Sequence, residues 1–301
     1  MESINKIAIL YGGSSAEREV SIESGKRVYN AIIDLGYCCE KFDINNIDGL
    51  HNLTNFDFIF IALHGEEGES GNLQKQLESI GLPFTGSNSE SCSYSWDKSI
   101  SKDLIRKNGI KTPDSIQINN SLNFNRSYDD IPFDHFFIKP SMDGSSINIF
   151  EIKNENEYRK TLEQLRDLNG PFILEEAIKH KEFTVTIIGD SVLPPLEIKT
   201  QNSFYDYEAK YLSDDTDLVE AKYGNEWLAN IKDFAKNSFH ALGCTGWARV
   251  DILEDKDGEF YFLELNSSPG MTSHSCVPKS GEFMGLSYNE VVKKIIDASV
   301  S

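Results

Sequence analysis

Little in this chain would attract a polyanion. Its 301 residues carry 48 acidic side chains against 29 Lys and Arg, a formal charge of −19. Nucleic acid and anionic membrane surfaces both need a basic face, so neither is expected as a partner. No apolar run approaches the ~20 residues that cross a bilayer. The five cysteines (Cys38, Cys39, Cys92, Cys244, Cys276) are odd in number and form no C-x-x-C pair, so no disulfide framework is expected. The apolar stretch at residues 7–11 closes on Gly12 and Gly13. It reads as a strand ending in a turn, too short for an export signal. Reduced thiols in a cytoplasm follow. Internal repeats and low-complexity tracts are also missing.

What remains is an ordinary globular composition, 39% hydrophobic and 26% charged. The length exceeds one typical core, so two or three domains are expected. Strand and helix patterns alternate at the start: a strand at residues 6–11, a loop at 12–16, and a helix to Leu35 closed by Gly36. Residues 57–63 (DFIFIAL) are nearly all apolar, as in a parallel strand buried on both faces. A loop at 64–71 follows. Ligands of such sheets bind beyond the strands' carboxyl ends, where both loops lie. One helix is expected over 87–108. Then come short strands at 136–139, 147–152, 172–177 and 183–188, with a helix at 155–168. The strand at 192–198 belongs to a last unit. In it a polar, weakly periodic segment at 200–224 reads as a lid, and helices are expected at 225–242 and 287–298.

Residues 246–266 (GWARVDILEDKDGEFYFLELN) carry the sharpest signal. Asp257 and Gly258 between alternating strands predict a two-residue hairpin turn. Lys256 then opposes Glu259, Asp251 opposes Glu264, and Arg249 opposes Asn266. Alternation puts these last four on one face. Ala248, Val250, Ile252, Leu263 and Leu265 occupy the other, as core. Like charges directly opposite destabilise a sheet. Mg²⁺ between Asp251 and Glu264 removes the conflict, since it takes oxygen ligands and shares them with phosphates. A solvated acidic face on an edge hairpin is the plainer alternative.

Other stretches carry weaker signals. Residues 139–146 (KPSMDGSS) place Lys139 at a strand end before a loop of small residues. Such a loop can close over phosphates, or it is a surface turn; it is not a Walker P-loop. Glu175, Glu176, Ala177 and Ile178 end another strand and Glu182 begins the next. Acids there can accept from adenine or ribose, but surface acids are common in so acidic a chain. Glu17 starts a helix, where a carboxylate also suits the helix dipole. His64 is a substrate contact or a structural histidine. Residues 266–275 supply hydroxyls, N–H groups and Gly270, which admits close backbone approach.

In this order these residues resemble the ATP-grasp family and, within it, the D-alanine–D-alanine ligases. The resemblance covers nearly the whole chain. It is most specific at residues 12–21 (GGSSAEREVS), 62–65 (ALHG), 204–213 (FYDYEAKYLS) and 268–275 (SPGMTSHS). It implies an α/β and α+β ATP-grasp fold: a Rossmann-like parallel-sheet domain (1–96), then a central (97–187) and a C-terminal (188–301) α+β domain sandwiching ATP. It implies ATP-dependent joining of two D-alanines through an acyl phosphate, for peptidoglycan synthesis. Homodimers are implied too.

Residue by residue, the resemblance gives Asp251, Glu264 and Asn266 to two Mg²⁺ or Mn²⁺. Lys98, Lys139 and Lys210 go to ATP phosphates, under a loop containing Ser145 and Ser146. Glu175, Glu176, Ala177, Ile178, Glu182 and Phe204 surround the nucleoside. Arg249 and the Gly270 N–H form an oxyanion hole. Glu17 and His64 serve the first D-alanine; Ser275 and Cys276 serve the second. Glu17, Ser145 and Tyr211 close the lid, and Tyr211 favours an amine over D-lactate as nucleophile. Arg249→Ala is expected to leave the melting temperature near normal. Three departures stand out: Ala177 for a larger residue, Cys276 for leucine, and the acidic pair Glu66 and Glu67. A different ATP-grasp ligase is the rival enzyme. An acidic cation-binding scaffold is the non-enzyme rival, but it leaves Lys139, Lys210 and Arg249 without a task.

Overall fold

The computed structural model describes residues 4–119, 124–144, 148–168, 170–199 and 217–300. The first unit comprises β1 (Lys6–Tyr11), α1 (Arg18–Asp34), β2 (Cys38–Asp43), β3 (Phe58–Ile61), α2 (Glu66–Glu69) and α3 (Asn72–Ser79). Its sheet is parallel, in the order β2-β1-β3. Every residue of β3 is buried. Ile7, Ile9, Phe58 and Phe60 meet Val28, Ala31 and Ile32 of α1. Ala8, Leu10, Ile59 and Ile61 meet Leu73 and Leu77 of α3. Apolar cover on both faces is what the uninterrupted run demands. The expected loop at 64–71 contains the short helix α2.

The helix expected over 87–108 is two helices, α4 (Ser89–Trp96) and α5 (Lys98–Lys107). Asp97 between them is extended (φ −85°, ψ 105°). Its Oδ1 accepts from the N–H of Ser99 (2.8 Å) and Ile100 (3.4 Å) and from the Ser141 hydroxyl (2.6 Å). This is an N-cap, and it starts a new helix where no glycine or proline marks a break. The central sheet has the order β4-β7-β5-β6 and is antiparallel: β4 (Ser115–Ile118), β5 (Phe136–Pro140), β6 (Phe150–Ile152), β7 (Phe172–Glu176). Helix α6 (Glu155–Leu165) covers one face through Tyr158 and Leu165, against Phe136, Ile138, Phe172 and Leu174. By alternation Lys139 and Glu175 stand on the other face.

The largest sheet runs β11-β10-β8-β12-β13, with β9 on β8. Its strands are β8 (His180–Ile188), β9 (Ser191–Val192), β10 (Leu196–Lys199), β11 (Asp217–Glu220), β12 (Trp247–Asp255) and β13 (Phe260–Asn266). Helix α7 (Asn225–Ala241) packs Ile231, Ala235 and Phe239 on Val185, Val250, Ile252 and Phe262. Two final helices, α8 (Cys276–Phe283) and α9 (Tyr288–Ser299), return to the first sheet. Val277, Val291, Val292, Ile295 and Ile296 share one core with Ile7, Ile9, Phe58 and Phe60.

The hairpin differs from its expected form in two places. Asp255, not Lys256, opposes Glu259, through Asp255 N–H to Glu259 O (3.1 Å). The loop therefore has three residues, closed by Gly258 N–H to Asp255 O (3.1 Å) with Gly258 at φ +83°. A type I turn followed by a left-handed glycine has this form. The ladder then runs one residue out of the expected register, with Glu254 opposite Phe260 and Ile252 opposite Phe262. A bulge at Leu263 restores it. Beyond the bulge Asp251 opposes Glu264 and Arg249 opposes Asn266, as expected. Phe262 takes the core position assigned to Leu263, which is only half-buried.

Candidate active site

Strand β12 sits between β8 and β13, so one of its faces collects side chains from three strands. Arg249 is opposite Thr186 and Asp251 is opposite Thr184 on β8. The Asp251 carboxylate is buried and accepts four hydrogen bonds. Oδ1 takes one from Arg249 Nε (2.9 Å) and one from Thr184 Oγ1 (2.7 Å). Oδ2 takes one from Arg249 Nη2 (2.7 Å) and one from Asn266 Nδ2 (3.1 Å). The bidentate guanidinium fork is the strong form of this contact. Glu264 has a different cation: Lys98 Nζ, at the start of α5, is 3.7 Å from its Oε2 and donates to Asp143 O (2.6 Å). Among the described residues, a side-chain cation beside each carboxylate thus relieves the like-charge conflict.

Two carboxylates and a side-chain amide remain a hard-oxygen set suited to Mg²⁺ or Mn²⁺. Asn266 contributes an oxygen when its amide is turned. The second ammonium cluster lies on the central sheet. Glu175 Oε1 is 2.6 Å from Lys139 Nζ and Oε2 is 2.5 Å from Lys102 Nζ. Burial pushes the Glu175 carboxyl up, but the two ammonium groups outweigh it and hold it below the usual range. β7 ends at Glu176, and Ala177 and Ile178 follow it. The Glu176 N–H donates to Asp114 O (2.9 Å) and the Ala177 N–H to His135 O (3.0 Å). Glu182 stands on β8 opposite Leu253, on the face that carries Thr184.

A cavity of about 400 Å³ opens beside Arg249. Gly270, Thr272, Ser275 and Cys276 line one side, and Glu19 and Glu23 of α1 another. Ser275 is the residue before α8, and its Oγ accepts from Thr272 N–H (3.0 Å) rather than from the helix. A Cβ at Gly270 would lie 2.7 Å from that oxygen, so a larger residue there would displace the Ser275 hydroxyl. Cys276, buried, is the first residue of α8.

His64 is buried between the first and last units. Its Nδ1–H donates to Ser268 O (2.8 Å), and its Nε2 accepts from Ser24 Oγ (2.9 Å). Ser24 Oγ in turn accepts from Met271 N–H (3.1 Å). Burial lowers its pKa, so the ring is neutral, in the tautomer these partners require. Glu17 is buried at the start of α1, its Oε2 against Gly65 and Gly144. A residue of the first unit therefore meets the loop after β5. Ser145, Ser146, Phe204, Lys210 and Tyr211 lie outside the described residues.

Residues 120–297 match the family described as D-ala D-ala ligase C-terminus. The D-alanine–D-alanine ligase of Haemophilus ducreyi is 36% identical over 98% of both chains. That of Marinomonas sp. is 38% identical, over 96% of this chain and 94% of its own. The chain belongs to the D-alanine–D-alanine ligase family. Solved structures agree on the fold. The ATP complex of the Bacillus anthracis D-alanine–D-alanine ligase superposes with a TM-score of 0.86, at 29% identity over 99% of this chain and 98% of that one. The VanG D-Ala:D-Ser ligase of Enterococcus faecalis gives 0.83, at 27% identity over 99% and 100%. The chain is a ligase with the ATP-grasp fold.

Three residues of this D-alanine–D-alanine ligase family member escaped the sequence reading, and a fourth, Glu67, was noted there without a role. Thr184 is one of a run of apolar and hydroxyl residues, and only the β8–β12 register brings it to Asp251. Lys102 could have been found: residues 98, 101, 102 and 105 form the buried stripe of α5, and a lysine on such a stripe needs a counter-charge. Glu69 is buried, accepts from Gly65 N–H (3.1 Å), and is pushed up to about 8 by burial and then by Glu17. Glu67 accounts for half of the acidic pair. It accepts from Ser14 N–H (2.8 Å), Ser14 Oγ (2.7 Å) and Ser15 N–H (3.4 Å), filling the N–H-rich turn after β1. Nothing in the structure explains Glu66.

Proposed function

We propose that the chain joins two D-alanines into D-alanyl-D-alanine with ATP and two Mg²⁺ or Mn²⁺, as a cytoplasmic homodimer supplying peptidoglycan synthesis. The observation that carries this reading is the double position of Arg249. It is locked on Asp251 at the carboxylate hairpin, and it lines the cavity formed with Gly270 and Ser275. A phosphoryl site and an acyl site then share one wall, as an acyl phosphate intermediate requires.

Glu17, with His64 behind it, orients the first D-alanine by its ammonium group. Lys98 and Lys139 hold the ATP phosphates in line with that substrate's carboxylate, and Ser145, Ser146 and Lys210 complete the phosphate contacts. Glu175, Glu176, Ala177, Ile178, Glu182 and Phe204 face the nucleoside. Asp251, Glu264 and Asn266 hold the divalent cations, which when bound neutralise phosphate charge. Phosphoryl transfer needs alignment and charge neutralisation more than covalent help. Ser275 and the N–H of Cys276 hold the second D-alanine's carboxylate while its amine attacks the acyl phosphate. Arg249 and the Gly270 N–H stabilise the resulting oxyanion. Tyr211 and Ser145 close the site with Glu17.

Phosphate release from ATP tests the reading. It is expected to require D-alanine and a divalent cation, to stop on chelation, and to yield D-alanyl-D-alanine. D-Lactate is expected to compete poorly at neutral pH. Release driven by a different acid and amine points to another ATP-grasp substrate pair. Absence of nucleotide binding sinks the enzymatic reading altogether.

A further inference from the structure

We infer that Lys102 is a positioning residue for the nucleotide: it holds Glu175, and through it Lys139, and ties that wall of the site to the hairpin carrying Glu264. The inference rests on the nucleotide role proposed above for Lys139 and Glu175.

Lys102 is 1% exposed and lies one turn beyond Lys98 on the buried stripe of α5. Its ammonium group has three partners: Glu175 Oε2 at 2.5 Å, Thr112 Oγ1 at 2.8 Å and Pro113 O at 3.1 Å. Thr112 and Pro113 accept two of its hydrogen bonds, and Glu175 Oε2 faces it as a buried ion pair. Burial alone would discharge such a group. Here burial brings its pKa down to about 8, with Glu175 opposing the fall, so it is charged at neutral pH.

One carboxylate thus sits between two buried ammonium groups, and the triad carries one net positive charge. With Lys102 present, Glu175 is shared and the Lys139 charge is not cancelled. Without Lys102, the whole carboxylate charge falls on Lys139, which then attracts a phosphate less strongly. A second connection fixes where the triad sits. Thr112 accepts from Lys102, so its own proton goes to Phe262 O, at 2.8 Å. Phe262 N–H donates back to Lys111 O (2.8 Å). Phe262 is on β13, beside the bulge that sets Glu264 opposite Asp251. The chain of contacts runs from β7 of one sheet to β13 of the other, through a single ammonium group.

The test is a double-mutant cycle on steady-state phosphate release, with ATP and D-alanine varied separately. Lys102→Met is expected to raise KM for ATP about tenfold, the scale of one lost charged hydrogen bond, and to leave KM for D-alanine within about twofold. In a Glu175→Gln background the same substitution should add less than about twofold, because the residue it acts through is already changed. A purely structural role would lower the melting temperature and kcat without moving KM for ATP. That result, or full additivity with Glu175→Gln, overturns the proposal. If Glu175→Gln alone leaves KM for ATP unchanged, the nucleotide role of Glu175 fails, and the positioning role falls with it. Should Lys102→Met not fold, Lys102→Gln carries the same cycle, since its amide keeps donors for Thr112 and Pro113 but no charge.

Discussion

Arg249 serves two masters, and its substitution reads out both. It gives Asp251 two of that carboxylate's four hydrogen bonds, inside a buried face. Arg249→Ala is expected to lower kcat by about 10²–10³-fold, the scale of one oxyanion donor. The near-normal melting temperature expected from the sequence no longer follows. Breaking a buried ion pair costs about 3–5 kcal/mol, so a thermal melt should show a clear drop as well. Glu69 gives a pH signature. Its folded pKa is raised from 4.5 to about 8 by burial and then by Glu17. The folded state therefore holds this proton more tightly than the unfolded chain. The stability it contributes is complete below about pH 4.5 and is lost as pH rises toward about 8. Melting temperatures at pH 5 and pH 8 should show a smaller fall for Glu69→Gln than for the parent chain. Equal falls would remove Glu69 as the responsible group.

At the scale of elements, Asp97 separates two helices and anchors the second one to Ser141 at the end of β5. Asp97→Ala is expected to lower unfolding free energy by about 1–2 kcal/mol, the range for a lost N-cap, measured by urea titration. Lys98 follows it directly, so KM for ATP should rise in the same variant. Asp97→Ser, which keeps a capping oxygen, should recover part of both effects. The hairpin shows what was legible and what was not. Alternation placed Arg249, Asp251, Glu264 and Asn266 on one face, and they are there. The turn was misjudged by one residue, and the bulge at Leu263 offsets it. Asp257 and Gly258 marked where the turn lies but not its length, and the bulge at Leu263 carries no local mark. The break at Asp97 was missed although its capping partners, Ser99 and Ile100, are local, because the helical pattern runs on through it with no glycine or proline. Lys102 and Glu175 illustrate a different limit, because their pairing needs α5 laid against the central sheet.

At the scale of the molecule, the first sheet and the last helix share a single core. Ile295 of α9 packs in one cluster with Ile7, Ile9, Phe58 and Phe60. Ile295→Ala is expected to cost about 2–5 kcal/mol, as buried truncations do. Hydrogen exchange should then accelerate in β1 and in α9 together; acceleration confined to α9 would show that the first unit stands alone. The shared core also bears on birth at the ribosome. Residues 58–61 emerge long before residues 288–299, which cover one of their faces. At 5–20 residues per second, the interval is about ten to forty seconds. Throughout it, the part of that face that α1 leaves uncovered lies open to water and to neighbouring nascent chains. A chaperone that shields the emerging first sheet should raise the yield of active enzyme more than one added after synthesis ends.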